Sequence, residues 1–176
     1  IFLLAFWFYN DGIGTIIKMA TAFGDEIGIG TTDLIVALLL TQLIGVPASF
    51  LFVRIARITG PKKAVMGGLF IYLGIVISAY FLTTALHFYL LAGSVGLVQG
   101  GTQGLSRSMY AAMVPKNKSA EFFSFYNISG KFAGIAGPFI FALSGQLSGS
   151  SRIGVLSLFF FFIIGIFLLA GVDLDK

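Results

Sequence analysis

The sequence contains no cysteine and a single histidine, His87. Without thiols the chain can form neither a disulfide nor a thiolate metal site, and one histidine provides no ligand cluster for a metal ion. The motifs of nucleotide-binding loops and zinc proteases are missing as well. No grouping of a nucleophile with a base is visible. We therefore expect no metal, no cofactor and no enzymatic activity.

Charge is scarce too. Charged residues form 10% of the chain and hydrophobic residues 57%, whereas a soluble domain carries about 25% charged residues. The apolar residues gather in six runs of about twenty residues, the length that crosses the roughly 30 Å hydrocarbon core of a bilayer as a helix. The expected fold class is an all-α polytopic membrane protein, with helices at about 2–23, 32–55, 64–82, 88–113, 120–144 and 153–172.

The net charge of +4 follows membrane topology and does not indicate a nucleic-acid partner. Short cytoplasmic loops of membrane proteins are enriched in Lys and Arg. The second and fourth connections hold seven cations, and the first, third and fifth hold only Arg152. Both ends of the chain are therefore predicted to be cytoplasmic. The seven cations are Arg54, Arg57, Lys62, Lys63, Arg107, Lys116 and Lys118.

The chain begins Ile1-Phe2, without the basic segment and cleavage site of a signal peptide. The first apolar run is therefore predicted to be a membrane helix, and we expect the protein to continue upstream. Six helices with both ends inside resemble half of a major facilitator transporter, which contains two three-helix units of inverted topology. Pro47 and Pro138 interrupt the second helix of each unit, which is typical of mobile helices that line a substrate path.

Polar side chains inside the membrane mark candidate binding residues, since a charge near the bilayer centre costs several kcal/mol unless it faces a cavity or a partner. Asp11 lies about 15 Å into the first helix, and Lys131 lies at similar depth in the fifth. We predict that Asp11 binds substrate or a coupling ion, a proton included, with a buried structural ion pair as the alternative. We also predict that Asp11 pairs with Lys131 in at least one state. The predicted cavity residues are Asn10, Asp11, Gln99, Gln103, Asn127 and Lys131.

Two further groups of residues are predicted to serve the helix bundle. Small residues recur along the fourth and fifth helices, where they allow close packing. The positions predicted to pack are Gly100, Gly104, Gly130, Gly134, Gly137 and Pro138. Charged residues at the cytoplasmic ends of the helices are predicted to set topology and to act as a gate. These are Arg57, Lys62, Lys63, Arg107 and Glu121.

Five stretches of sequence stand out together. They are FWFYNDG at 6–12, QGGTQGLSRSMY at 99–110, VPKNKSAEFF at 114–123, FYNISGK at 125–131 and GP at 137–138. They resemble the C-terminal half of the vacuole-effluxer-like branch of the major facilitator superfamily, a branch linked to autophagy and amino-acid efflux. The resemblance spans nearly the whole chain, and residues 99–131 are its most specific part.

The resemblance implies the last six helices of a twelve-helix secondary transporter, which moves a small solute by alternating access, with amino acids as the expected class. It also implies three partners: a missing N-terminal six-helix half, membrane lipids and the solute. The expected location is the inner membrane of a bacterium. In the loop after the second helix, Arg57 stands where the wider superfamily often carries an acid. An Asp-centred cytoplasmic latch is therefore not expected in this half.

Two other functions stay open on the sequence alone. Six helices could assemble from identical copies into a channel or pore, which would conduct without saturation or counterflow. The chain could also be a non-transporting fragment that serves as a folding unit for its N-terminal half. Carrier-type counterflow distinguishes the transporter from both alternatives.

Overall fold

The computed structural model describes residues 1–173. Of Lys116 it describes only the backbone, so the side chain of this predicted cytoplasmic cation lies outside what the structure describes. Within this range the chain consists of helices and short connections and contains no strand, which confirms the all-α fold class. A 3₁₀ turn at Lys116–Lys118 precedes the fifth helix. The helices are α1 (Phe2–Glu26), α2 (Thr31–Thr59), α3 (Pro61–Tyr80), α4 (Ala85–Met113), α5 (Ser119–Phe132), α6 (Ala136–Ser148) and α7 (Ser151–Ala170).

Four segments in the described part of the chain are long and apolar enough to cross a membrane: α2, α3, α7 and the combined segment of α5 and α6, Ser119–Ser148. α1 and α4 have 25 and 29 residues, which also suffices for a crossing at about 1.5 Å per residue, but both carry more polar side chains. The polar residues are thus concentrated in the helices that begin each three-helix unit. Such helices are stable in a membrane when they border protein or a water-filled space instead of lipid.

The fifth predicted helix, at 120–144, is broken in the structure. α5 ends at Phe132 and α6 begins at Ala136. At the end of α5 the helix tightens, since Gly134 N donates to Lys131 O, only three residues back, at 3.1 Å. Pro138 explains the break, because it has no N–H and its ring crowds the carbonyl four residues before it, that of Gly134. The single helix predicted from the sequence is therefore corrected to two half-helices.

The helices pack as two interlocked units of three, with α1, α2 and α3 in one unit and α4, the broken helix formed by α5 and α6, and α7 in the other. α1 packs on α7 and α4 packs on α3, so the first helix of each unit contacts the last helix of the other. The second helices behave alike, because α2 lies against α4, and α5 and α6 lie against α1. Exchanging the two units reproduces the same set of contacts, which is the pattern of inverted repeats in half of a major facilitator fold.

A reciprocal pair of contacts joins α3 to α7. Lys62, the second residue of α3, donates from Nζ to the carbonyls of Ala170 at 2.8 Å and Val172 at 2.6 Å, where α7 ends. Arg152, the second residue of α7, donates to the carbonyl of Tyr80, the last residue of α3, at 2.5 Å. Each cation thus binds the negative end of the other helix's dipole. The two helices are tied together at both ends.

Candidate functional site

The two ends of the bundle differ in charge. The basic end holds the start of α1, the connection from α2 to α3 and the connection from α4 to α5. The acidic end, opposite, holds Asp25, Glu26 and Asp33. There Asp33 accepts a hydrogen bond from the Tyr89 hydroxyl, and Glu26 Oε1 accepts one from the backbone N–H of Ser151 at 3.2 Å. These bonds link α2 to α4 and α1 to α7.

Polar side chains join α1 to α4 in the middle of the bundle. Tyr9 donates from its hydroxyl to Ser106 Oγ at 2.7 Å, and both residues are buried. Asn10, the residue after Tyr9 on α1, makes a second contact with α4. Its Oδ1 accepts a hydrogen bond of 3.4 Å from Gln103 Nε2, and these two side chains are only half-buried. The structure therefore brings together two of the predicted cavity residues, Asn10 and Gln103, and leaves both amides partly exposed.

A cavity of about 100 Å³, the α1–α4 cavity, lies between this contact and the acidic end, since its lining runs from Ile16 to Phe23 on α1 and from Phe88 to Gln99 on α4. Its walls are apolar and come from six helices, with Ile16, Ala20, Val76, Val95, Phe141 and Leu158 among the lining residues. Its polar side chains are those of Thr41, Gln42 and Gln99. Gln99, a third predicted cavity residue, thus lies one helical turn from Gln103. The apolar space itself was not predicted, because its walls come from helices that are far apart in sequence.

Asp11 lies against the broken helix. Its side chain is 1% exposed, and its Oδ2 accepts a hydrogen bond of 2.8 Å from the backbone N–H of Gly137. A carboxylate here compensates the positive end of the α6 dipole. Glycine is required opposite it, because a Cβ on residue 137 would lie 2.8 Å from Asp11 Oδ1 and would also collide with Thr15 Oγ1. Asp11 therefore stabilises the start of α6.

Lys18 acts on the other side of the break. Its Nζ donates to the carbonyl of Gly134 at 3.2 Å, which is the carbonyl that Pro138 leaves without its usual helical donor. An anion at the start of α6 and a cation at the end of α5 match the two half-helix dipoles. Lys18 was not among the site residues predicted from the sequence. The available signal was its spacing of seven residues from Asp11, which places both on one face of α1.

The structure does not bring Asp11 and Lys131 together. Asp11 faces Gly137 and Lys18, whereas Asn127 and Lys131 have exposed side chains on α5. The predicted ion pair is therefore not formed among the described residues in this conformation, because the interrupted backbone already supplies the donor that Asp11 needs. Asn127 and Lys131 are four residues apart and share one face of α5.

Aromatic rings close the contact between α1, α4 and α5 at the basic end. The ring of Tyr126 stacks on Phe6 with centroids 4.4 Å apart and on Tyr110 with centroids 4.8 Å apart. The guanidinium of Arg107, a predicted gate residue, lies 5.7 Å from the centre of the Phe123 ring, within the range of a cation–π contact. Arg107 thus links α4 to α5 within this chain.

The remaining predicted gate residues make no aromatic contact of the kind that Arg107 makes among the described residues. Arg57, Lys63 and Glu121 are exposed at the basic end. Glu121 borders an open groove of about 520 Å³ that Tyr110 also lines. Lys62 binds the end of α7, so it has a structural contact besides its predicted effect on topology. The gating role of these residues stays a prediction.

The predicted packing glycines differ in their surroundings. Gly100 lies against Ser49 of α2. Gly96, one turn earlier on α4, lies against the α2 backbone, since a Cβ on residue 96 would lie 2.6 Å from the Thr41 carbonyl oxygen. Gly104 faces open space, with no atom within 4 Å of the place a Cβ would take. The packing contact predicted for Gly104 is therefore not made within the described chain. The three remaining glycines lie beside α1: Gly130, Gly134 and Gly137.

Comparison with known proteins identifies the family. The profile of a family described as vacuole effluxer Atg22-like matches residues 1–176, the whole chain. The chain belongs to this family. The resemblance stated from the sequence motifs is thereby confirmed, and with it membership of a family of integral membrane transporters of the major facilitator (MFS) type.

Relatives of this chain occur in bacteria and fungi. A protein of Bacillus subtilis (strain 168), described as the uncharacterized MFS-type transporter YxiO, is 47% identical over 173 residues, which are 98% of this chain. Autophagy-related protein 22 of Saccharomyces cerevisiae (strain ATCC 204508 / S288c) is 30% identical over 176 residues, covering 93% of this chain. The chain spans 40% of the length of the Bacillus protein and 33% of the yeast protein. In both relatives the matching region is part of a longer chain.

Proposed function

We propose that this chain is the C-terminal half of a secondary active transporter that moves a small solute across a membrane by alternating access. The observation that carries the proposal is the half-buried contact of Asn10 with Gln103, which lies between the first helices of the two inverted units. In transporters built from inverted repeats, the substrate site lies near the bilayer midplane at the interface of the repeats. Membership of a transporter family supports the same conclusion.

The solute class we propose is the amino acids. The amides of Asn10, Gln103 and Asn127 each offer both donors and acceptors, which suits a zwitterion with an ammonium and a carboxylate group. Lys131 adds an exposed cation on α5, and a charged donor forms a strong hydrogen bond to a carboxylate. A solute with both charges would find complementary groups on α1, α4 and α5.

Asp11 is the residue that we propose for coupling to protons. One carboxylate oxygen, Oδ2, is held by the Gly137 N–H, while Oδ1 has no hydrogen-bond partner among the described residues. Oδ1 is therefore the oxygen on which a proton would sit. In an Asp11→Asn variant we expect gradient-driven uptake to be lost and solute exchange to persist. Unchanged dependence of transport on the external pH would contradict this role.

The location we propose is the cytoplasmic membrane of a bacterium, with the basic end inside, as the distribution of Lys and Arg supports. The N-terminal six-helix half would pack on the open faces of α2 and α5, and lipids would cover the outer surface. The described segment contains no cysteine, so single cysteines can report topology. Lys63→Cys should react with an impermeant thiol reagent only from inside, and His87→Cys only from outside. The reverse labelling pattern would contradict the orientation.

Counterflow in proteoliposomes tests the transport function. The full-length protein, with its upstream half, would be reconstituted in vesicles loaded with an amino-acid mixture, and labelled amino acids would be added outside. Saturable, transient accumulation of label is the expected result, because a carrier exchanges solute on both sides. Flux that never saturates would indicate a channel instead. No accumulation of any amino acid by the folded, inserted protein would exclude this solute class.

A further inference from the structure

The α1–α4 cavity has the properties of a binding site for an apolar group. We infer that it receives the apolar part of the transported solute, while the amides at its border hold the polar part. The inference rests on the transport function proposed above. It concerns a separate surface, since most of the residues that line the cavity are apolar, and Gln99 is the one that was also among the residues predicted from the sequence.

The walls of the cavity disfavour water. Ile16, Ala20, Val95 and Leu158 are among the residues that line it, and an apolar cavity stays dry and takes up apolar molecules. The hydroxyl of Thr41, a polar group on the wall, is already committed, because it donates to carbonyls of α2 and α4 at 2.9 and 3.1 Å. Along these walls water would find few partners, whereas a hydrocarbon group would gain contacts with the apolar side chains.

Two amide side chains in the lining, those of Gln42 and Gln99, form the polar border of the cavity. Gln42 is exposed and Gln99 is half-buried, and neither side chain makes a hydrogen bond within residues 1–173. An amide has two donors and an acceptor oxygen, so these two side chains are available to a polar group beside the cavity. A ligand that matches this site carries a hydrogen-bonding head and a compact apolar tail.

The size of the cavity limits that tail. Its volume of about 100 Å³ is smaller than an apolar cavity of about 150 Å³ that accommodates benzene. A branched or linear tail of a few carbon atoms therefore fits, and an aromatic ring requires the walls to move. The order of polar and apolar groups along α4 matches a ligand with a polar head and an apolar tail. Gln99, at the polar border of the cavity, is one turn from Gln103, which contacts Asn10.

A series of competitors with one head group and growing tails tests the inference. Glycine, L-alanine, L-valine and L-leucine would compete with a labelled amino-acid mixture in counterflow by the full-length transporter, and acetate, butyrate and hexanoate would form a second series. We expect the inhibition constant to fall along each series, by about tenfold or more between glycine and L-valine, since a single methylene group in an apolar pocket already changes affinity by about tenfold.

Replacing two alanines, one in the cavity and one outside it, shows whether the effect arises in the cavity. Ala20 lines the cavity, whereas Ala142 is exposed on α6. Ala20→Leu should fill the space and remove the preference for longer tails, and Ile16→Ala should enlarge it and shift the preference towards L-phenylalanine. Ala142→Leu should leave the preference unchanged. If Ala20→Leu does not fold, Ala20→Val fills part of the same space.

The outcomes separate this inference from the transport function. Saturable counterflow with inhibition constants independent of tail length, in the wild-type protein, would overturn the apolar site and leave the transporter intact. The apolar site would likewise be overturned if Ala20→Leu has no more effect on the preference for tail length than Ala142→Leu. That result is expected if an acyl chain of a lipid, and not the solute, occupies the cavity. Absence of saturable counterflow for every solute would overturn the transport function itself. Thermal stabilisation of the detergent-purified protein by L-leucine, but not by glycine, would still support the site in that case.

Discussion

α2 and the segment formed by α5 and α6 occupy equivalent positions in the two inverted units, and both contain a proline, yet only one of them is broken. α2 continues for 29 residues through Pro47, whereas the other segment is interrupted before Pro138. A proline removes one helical hydrogen bond and crowds the preceding turn in either case. We attribute the different outcome to what each helix packs against.

A close backbone contact with α4 holds α2 together. At Gly96 the two backbones approach so closely that a Cβ would lie 2.6 Å from the carbonyl oxygen of Thr41. The Thr41 hydroxyl also donates to a carbonyl of α4 at 3.1 Å. On the other side of Pro47, the Ser49 hydroxyl donates to the Gly45 carbonyl at 2.7 Å within α2. Contacts on both sides of the proline thus keep the helix continuous.

The segment of α5 and α6 meets charged side chains instead. Asp11 accepts the hydrogen bond of the Gly137 N–H, and Lys18 donates to the Gly134 carbonyl. These groups would otherwise be left without partners in a membrane, where each unsatisfied backbone group costs several kcal/mol. Because α1 supplies both partners, the break is stable. A proline thus permits a break, and the neighbouring helix decides whether it forms.

The largest effect is expected at the α2–α4 contact. A Gly96→Val change should lower the free energy of unfolding by about 3 kcal/mol, because added atoms in a closely packed contact force the backbones apart. The measurement is unfolding of the full-length transporter in mixed detergent micelles. Gly104→Val is the control, since residue 104 faces open space. Equal losses in both variants would show that the α2–α4 contact is not what holds α2.

The second effect is expected at the start of α6. Asp11→Ala should lower the free energy of unfolding by about 2 kcal/mol, because it leaves a buried backbone N–H without an acceptor. Asp11→Asn should lose less, since its amide oxygen can still accept from Gly137. The exposed Asp25 provides the control variant Asp25→Ala, for which no loss is expected in the same unfolding assay. A neutral Asp11→Ala variant would contradict the role of this carboxylate in stabilising α6.

The third effect concerns the break itself. Pro138→Ala restores a backbone N–H that can bond to the Gly134 carbonyl, in competition with Lys18. We expect amide hydrogen exchange at residues 134–138 to slow by about fivefold, the equivalent of one hydrogen bond of about 1 kcal/mol. Pro47→Ala should change exchange in α2 much less, because α2 is already continuous. Mass spectrometry of peptides from both regions measures the difference, and equal slowing in both would argue against it.

The smallest effect is expected for the cation at the end of α5. Lys18→Met should lower the free energy of unfolding by about 0.5 kcal/mol, as is typical of a cation near a helix C-terminus. The side chain is exposed, which limits the loss. Lys18→Arg should retain stability, and Lys118→Met serves as the control for removal of an exposed cation. A loss as large as that of Asp11→Ala would mean that the two ends of the break are held with equal strength.

The sequence determined the helical membrane fold and most of the polar positions, because both depend on local composition. Runs of apolar residues predict helices wherever they lie in the fold, and the motifs at 99–131 predicted the family that the profile match confirmed. Asn10 and Gln103 could be named because amides are rare in membrane helices. Their contact with one another became visible only in the structure, because 93 residues separate them.

Only the tertiary structure decided which partner each charged residue takes. Asp11 and Lys131 match in depth and charge, so the sequence favoured their pairing, but the break in the backbone offered Asp11 a donor at Gly137 that no pattern of side chains could indicate. The α1–α4 cavity has the same origin, since it exists through the spacing of six helices. Local patterns determine which residues enter the membrane, and packing between distant helices determines what each of them meets there.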